Sequence, residues 1–144
     1  MTMPPIRKSS IYATDLSNTQ IISNVVKANA YYGIGLGPNT NAIKVKSNSL
    51  TNNKNRAINA SENISRRLMT IKTTYNKGYK IIATGNNKTK MYLKYGSRNV
   101  LNKTTSTKGI ATFKFVKSYK NKTVRLYSKD IYGNITYIDV VVKG

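Results

Sequence analysis

Ile21-Ile22-Ser23-Asn24-Val25-Val26-Lys27 and Val45-Lys46-Ser47-Asn48-Ser49-Leu50-Thr51 are two copies of one pattern. Sliding the chain by twenty-four positions lays Ile21 on Val45, Ser23 on Ser47, Asn24 on Asn48, Val26 on Leu50, Asn29 on Asn53, Ile34 on Ile58 and Leu36 on Ala60. Apolar meets apolar, and Asn meets Asn. A period of this size is the mark of a solenoid, whose units cannot bury their own apolar faces and stack on copies of themselves. Each copy reads as a short alternating strand, an Asn-bearing bend and a second short strand. Helical spacing is absent, and β-branched residues with Gly and Asn dominate.

Carried by Ile22 to Val26, Tyr32-Gly33-Ile34-Gly35-Leu36-Gly37-Pro38-Asn39-Thr40 and Val45 to Asn53, the stretch resembles the right-handed parallel β-helix of the pectate-lyase-like superfamily. The resemblance implies inward stacking of equivalent apolar positions and a ladder of turn asparagines, each amide bonding the next. Asn24 and Asn48 are the candidates for that ladder; the alternative is that they simply mark bends, which Asn suits. Ile11 lies one period before Ile34, so residues 1–65 hold about two and a half coils, short of the roughly three that stacked repeats need. The chain is therefore expected to be the end of something longer, its open coil continuous with or stacked on further coils. Residues 1–65 are expected to be marginal alone.

Met1 to Ser10 carries two prolines and two basic residues with no apolar run, unlike a signal peptide. No stretch approaches the length that crosses a bilayer, so the chain reads as soluble. Of the 25 Lys and Arg, seven lie before Arg66 and eighteen from Arg66 on. Rhythm changes at the same place, and Ser61 to Arg67 is the expected join between residues 1–65 and a second domain, residues 66–144.

That second half reads as short strands between turn signals, at the spacing of a β-sandwich. Expected strands are Leu68 to Tyr75, Tyr79 to Thr84, Lys90 to Tyr95, Asn99 to Thr104, Ile110 to Val116, Thr123 to Lys129 and Ile135 to Val142. In Ser128 to Asn134, Asp130 can accept N–H bonds from two residues on, and Gly133 can supply the positive φ of a bulged hairpin. This turn, ending in Gly133-Asn134, and the upstream Thr107-Lys108-Gly109-Ile110-Ala111-Thr112-Phe113 resemble bacterial immunoglobulin-like domains. The resemblance implies a surface or secreted protein. The fold expected of the whole is all-β, a short parallel β-helix segment followed by an immunoglobulin-like β-sandwich that folds alone.

Chemistry is bounded by subtraction. With no His there is no imidazole base, Ser-His-Asp triad or His metal site, and with no Cys there is no thiol nucleophile, thiolate site or disulfide. The acids are Asp15, Glu62, Asp130 and Asp139, without the paired or clustered carboxyls of a glycosidase or calcium site. Gly33-x-Gly35-x-Gly37 has the wrong spacing for a dinucleotide fingerprint and reads as tight-turn glycines. No catalytic, metal or cofactor residue is expected.

What remains is charge, a net of +21 with pI near 10.3. Strand alternation places Lys90, Lys94, Lys114, Arg125 and Lys129 on solvent faces, with Tyr92 and Tyr127 interleaved, as one basic sheet surface. Such lysines either keep edge strands soluble or contact an anionic polymer such as acidic polysaccharide or cell-wall polyanion. Nucleic acid is disfavoured, because the basic residues are scattered over strands without a recognised motif. The expectation is a noncatalytic extracellular or cell-surface module that presents or attaches a β-helix. The alternative is the carboxyl-terminal piece of a polysaccharide lyase, hydrolase or tailspike-like depolymerase whose active site lies upstream.

Overall fold

Apolar residues repeating at one interval can all be buried only if the strands that carry them lie side by side in the same direction, and the first strands do so. The computed structural model describes residues 9–14, 18, 20–27, 32–37, 44–54, 56–60, 67–116 and 118–144. The protein is all-β, with no helix among the described residues and so none long and apolar enough to cross a membrane. Strand β1 (Ser9–Ala13) pairs in parallel with β4 (Tyr32–Leu36), and β4 with β7 (Arg56–Ala60). Strand β2 (Gln20–Ile22) pairs in parallel with β5 (Lys44–Lys46), and β3 (Val25–Lys27) with β6 (Ser49–Thr51). The register sets Ile21 beside Val45, Val26 beside Leu50, Ile34 beside Ile58 and Leu36 beside Ala60, as the repeat predicts. These side chains form one buried cluster, closed at its end by Leu68 of β8 (Leu68–Met69), which returns antiparallel to β7.

Between β2 and β3, and again between β5 and β6, the chain bends at Ser23 and Ser47, with φ of 57° and 53°. Each bend exposes backbone donors that the following layer accepts. Asn24 donates its N–H to Asn48 Oδ1 at 2.9 Å and its Nδ2 to the same oxygen at 3.1 Å. Asn48 repeats this toward Asn134 Oδ1, at 3.1 Å and 2.9 Å, and its Nδ2 also reaches the Ile21 carbonyl at 2.9 Å. The ladder expected of Asn24 and Asn48 therefore has a third asparagine, from far downstream.

The chain divides into two compact units, Met1–Thr70 with Asp130–Thr136, and Ile71–Lys129 with Tyr137–Gly144. Residues 132–136 repeat the bend of the first unit position by position. Gly133, with φ of 82°, stands where Ser23 and Ser47 stand. Tyr132 O accepts from Ser47 N–H, as Lys46 O accepts from Ser23 N–H. Ile135 N–H donates to Asn48 O at 2.7 Å, as Ser49 N–H donates to Asn24 O at 2.8 Å. Asn134 Nδ2 bonds the Val45 carbonyl at 2.9 Å, the counterpart of Asn48 Nδ2 on Ile21. Asp130 ends the series: Oδ1 accepts the N–H of Tyr132 at 2.8 Å and of Asn134 at 2.9 Å, and Oδ2 accepts Asn134 Nδ2 at 2.8 Å. Asp130 and Gly133 thus fill their expected turn roles, but the segment 130–136 belongs to the first unit, whereas a second half folding alone would keep it. The expected join at Ser61 to Arg67 lies outside the described residues except for Arg67, as do Asp15, Asn29, Pro38 to Thr40 and Glu62.

Thr136 occupies the position of Val26 and Leu50 and is 1% exposed, yet its Oγ1 meets no hydrogen-bond partner among the described residues. A buried hydroxyl left unpaired costs about 1 to 3 kcal/mol. Thr136→Val should therefore stabilise the protein by about 1 kcal/mol in urea denaturation; a loss of stability would show that the hydroxyl is satisfied.

In the second unit, β9 (Lys72–Lys77), β10 (Lys80–Thr84) and β13 (Ile110–Lys114) form one antiparallel sheet with β10 central. Strands β11 (Lys90–Tyr95), β12 (Arg98–Thr104) and β14 (Thr123–Lys129) form another, with β11 central among them, and β15 (Ile135–Val141) follows β14 in strand order. Alternation decides what each contributes. Ile81 and Ala83, Ala111 and Phe113, Met91 and Leu93, Val124 and Leu126, and Val140 and Val142 all join one buried cluster.

Gly33 and Gly35 are not turn residues. Both lie inside β4, and a Cβ on Gly33 would stand 2.6 Å from Ala57 O and 2.9 Å from both Asn53 Nδ2 and Leu50 Cδ2. The sequence shows a glycine run; the reason for Gly33 is the close passage of the next repeat.

Candidate polyanion-binding face

On β11 the inward Met91 and Leu93 leave Lys90, Tyr92 and Lys94 pointing outward, and on β14 the inward Val124, Leu126 and Ser128 leave Arg125, Tyr127 and Lys129 outward. Antiparallel pairing sets Tyr92 opposite Tyr127 and Lys94 opposite Arg125. The two tyrosine rings stack with centroids 5.0 Å apart and planes 16° apart. Tyr127 also donates its hydroxyl to Asn99 Oδ1 at 3.0 Å, which fixes the ring from the β12 side. Lys90 and Lys129 are exposed on this face, and Lys94 is half-buried.

Of the five expected basic residues, one lies off the expected single surface and another lies on it with its charge already paired. Lys114 lies on β13, in the sheet of β9 and β10, so it does not join the others. Alternation gives a side of a sheet but not which sheet, and that is why the sequence misplaces it. Arg125 is on the face but committed: Nε donates to Asp139 Oδ1 at 2.8 Å and Nη2 to Oδ2 at 3.0 Å. Its guanidinium also lies 4.0 Å from the centroid of the Tyr137 ring. The Asp139 hydrogen bond, opposed by partial burial and helped by the carboxylate's charge, raises the Arg125 pKa above its ordinary value. The guanidinium remains a cation, with its charge answered locally.

Sequence reasoning missed this Arg125, Asp139 and Tyr137 group. The signal available was that Tyr137 and Asp139 alternate with the inward Ile138 and Val140. Beside it, Lys94, Gly96, Thr123, Val124, Arg125 and Asp139 line a shallow cleft of about 310 Å³. The face that results offers three ammonium groups, a stacked aromatic pair and a cleft bordered by an ion pair. It can attract anions and lay aromatic surface against the apolar flank of a sugar ring. Asp130 and Asp139 are used in a turn and an ion pair, and no group of metal-ligating side chains occurs among the described residues.

No protein family, no curated protein and no solved structure matches the chain.

Proposed function

We propose that this chain is a noncatalytic module of a bacterial extracellular or cell-surface protein. Its first unit is the end of a right-handed parallel β-helix. Its second is an immunoglobulin-like β-sandwich that attaches or spaces the helix and holds an acidic polysaccharide or cell-wall polymer on the outer face of β11 and β14. The observation that carries the binding role is the convergence of Lys90, Lys94 and Lys129 around the stacked Tyr92 and Tyr127. The parallel register at a fixed interval and the asparagine ladder support the β-helix reading.

Isothermal titration of the full chain with polygalacturonate, against neutral dextran, tests the binding. Binding to the polyuronate alone, weakening as salt rises, is expected. Changing Lys90, Lys94 and Lys129 together to Gln should weaken it roughly tenfold, since the local field is removed. Lys114→Gln should change it by less than about twofold, because that residue lies on the other sheet. Asp139→Asn, which frees the Arg125 guanidinium, should tighten it about threefold. Equal loss for the Lys114 variant and the triple variant would reduce the interaction to net charge and end the case for a site.

A further inference from the structure

The tripeptide Asn-Lys-Thr occurs three times, at Asn87-Lys88-Thr89, Asn102-Lys103-Thr104 and Asn121-Lys122-Thr123, all in the second unit. Each is an Asn-x-Thr acceptor for N-linked glycan. We propose that Asn87, Asn102 and Asn121 are glycosylation sites of this protein. The proposal rests on the cell-surface reading, because glycans are transferred to asparagine on translocated chain.

The structure separates these three from Asn134-Ile135-Thr136 and Asn59-Ala60-Ser61; a further such sequence, Asn63-Ile64-Ser65, lies outside the described residues. All three asparagines are exposed, and none of their side-chain amides is hydrogen-bonded among the described residues. Asn87 lies in the turn between β10 and β11, where Thr89 Oγ1 folds back onto the Asn87 carbonyl at 2.9 Å. Asn121 lies in the turn before β14 with φ of 63°. Asn102 lies on β12, the edge of its sheet. In contrast, Asn134 of Asn134-Ile135-Thr136 is 1% exposed, and its Nδ2 is held by both Val45 O and Asp130 Oδ2. That nitrogen has no N–H left to present. Asn59 of Asn59-Ala60-Ser61 is half-buried and accepts Arg56 Nη1 at 2.7 Å.

Transfer joins Asn Nδ2 to the anomeric carbon of a polyprenyl-pyrophosphate-linked oligosaccharide and breaks that carbon's bond to the phosphate oxygen. Polyprenyl pyrophosphate leaves, the amide proton passes to the base of the transferase, and no oxidation state changes. A glycan on Asn102 has a physical use. Edge strands carry unpaired backbone groups that invite pairing with other chains, and a bulky hydrophilic group there blocks it. Asn102 is also paired with Tyr92 across β12 and β11, so its glycan stands on the tyrosine face and competes there with a polymer ligand.

The test is intact-mass and glycopeptide analysis of the full chain isolated from its native cells. Glycan on Asn87, Asn102 and Asn121 and none on Asn59 or Asn134 is the expected result. Asn87→Gln, Asn102→Gln and Asn121→Gln should each remove one glycan. Thr104→Ala, which keeps the asparagine but loses the acceptor hydroxyl, should do the same as Asn102→Gln. In parallel, whole cells are treated with a membrane-impermeant amine reagent, for which the many lysines are targets. A chain that is labelled but carries no glycan overturns the proposal and leaves the surface reading intact. A chain that is neither labelled nor glycosylated overturns both.

Discussion

Asn48→Ala is expected to destabilise the protein by about 3 to 5 kcal/mol, because it leaves several buried polar groups unpaired at once. Asn48 is 1% exposed. Its Oδ1 takes two donors from Asn24, and its Nδ2 serves both Ile21 O and Asn134 Oδ1. Alanine removes all of these, and an orphaned buried group costs about 1 to 3 kcal/mol. Urea denaturation with hydrogen exchange resolved by residue would report it. Protection should fall first over β2, β3, β5 and β6. Loss of less than about 1 kcal/mol would mean that the ladder contributes only as any exposed turn bond does.

Gly33→Ala should cost about 3 kcal/mol, the upper end for overpacking. The new methyl meets a backbone oxygen, which cannot swing away as a long side chain would. Gly78→Ala is the matched comparison. Nothing lies within 4 Å of a Cβ there, but φ is 65°, so the cost is conformational and about 1 kcal/mol. Thermal unfolding of both variants distinguishes crowding from turn strain. Equal shifts would return Gly33 to the status of an ordinary turn residue.

The repeat interval is legible in the sequence because stacking demands it. Ile21, Val26, Ile34 and Leu36 pair with the residues that the superposition assigns. Most strands of the second half follow from alternation and Gly-bearing turns, with Lys90–Tyr95 and Thr123–Lys129 bounded as expected, but the strand expected over Leu68 to Tyr75 is two, Leu68–Met69 beside β7 and Lys72–Lys77 beside β10. The third layer of the ladder is not legible by periodicity, since Asn134 lies 86 residues after Asn48. Its trace is local: Ser23-Asn24, Ser47-Asn48 and Gly133-Asn134 each set a residue at positive φ before the asparagine. Of the basic face, sequence gives the outward parity of Lys90, Lys94 and Lys129. It gives neither the sheet of Lys114 nor the partner of Arg125, because both depend on which strands become neighbours.

The asparagine column has a sense, like an arrow. Every amide hands one hydrogen toward the Asp130 side and the other to a main-chain carbonyl, and a carboxylate has none to hand on, so the series terminates there chemically as well as geometrically. At the other extreme Asn24 Oδ1 receives no hydrogen among the described residues, and β2 stands outermost in its sheet. A designer extending this protein should therefore splice new repeats ahead of Gln20, where each added asparagine finds a ready oxygen, and never beyond the aspartate.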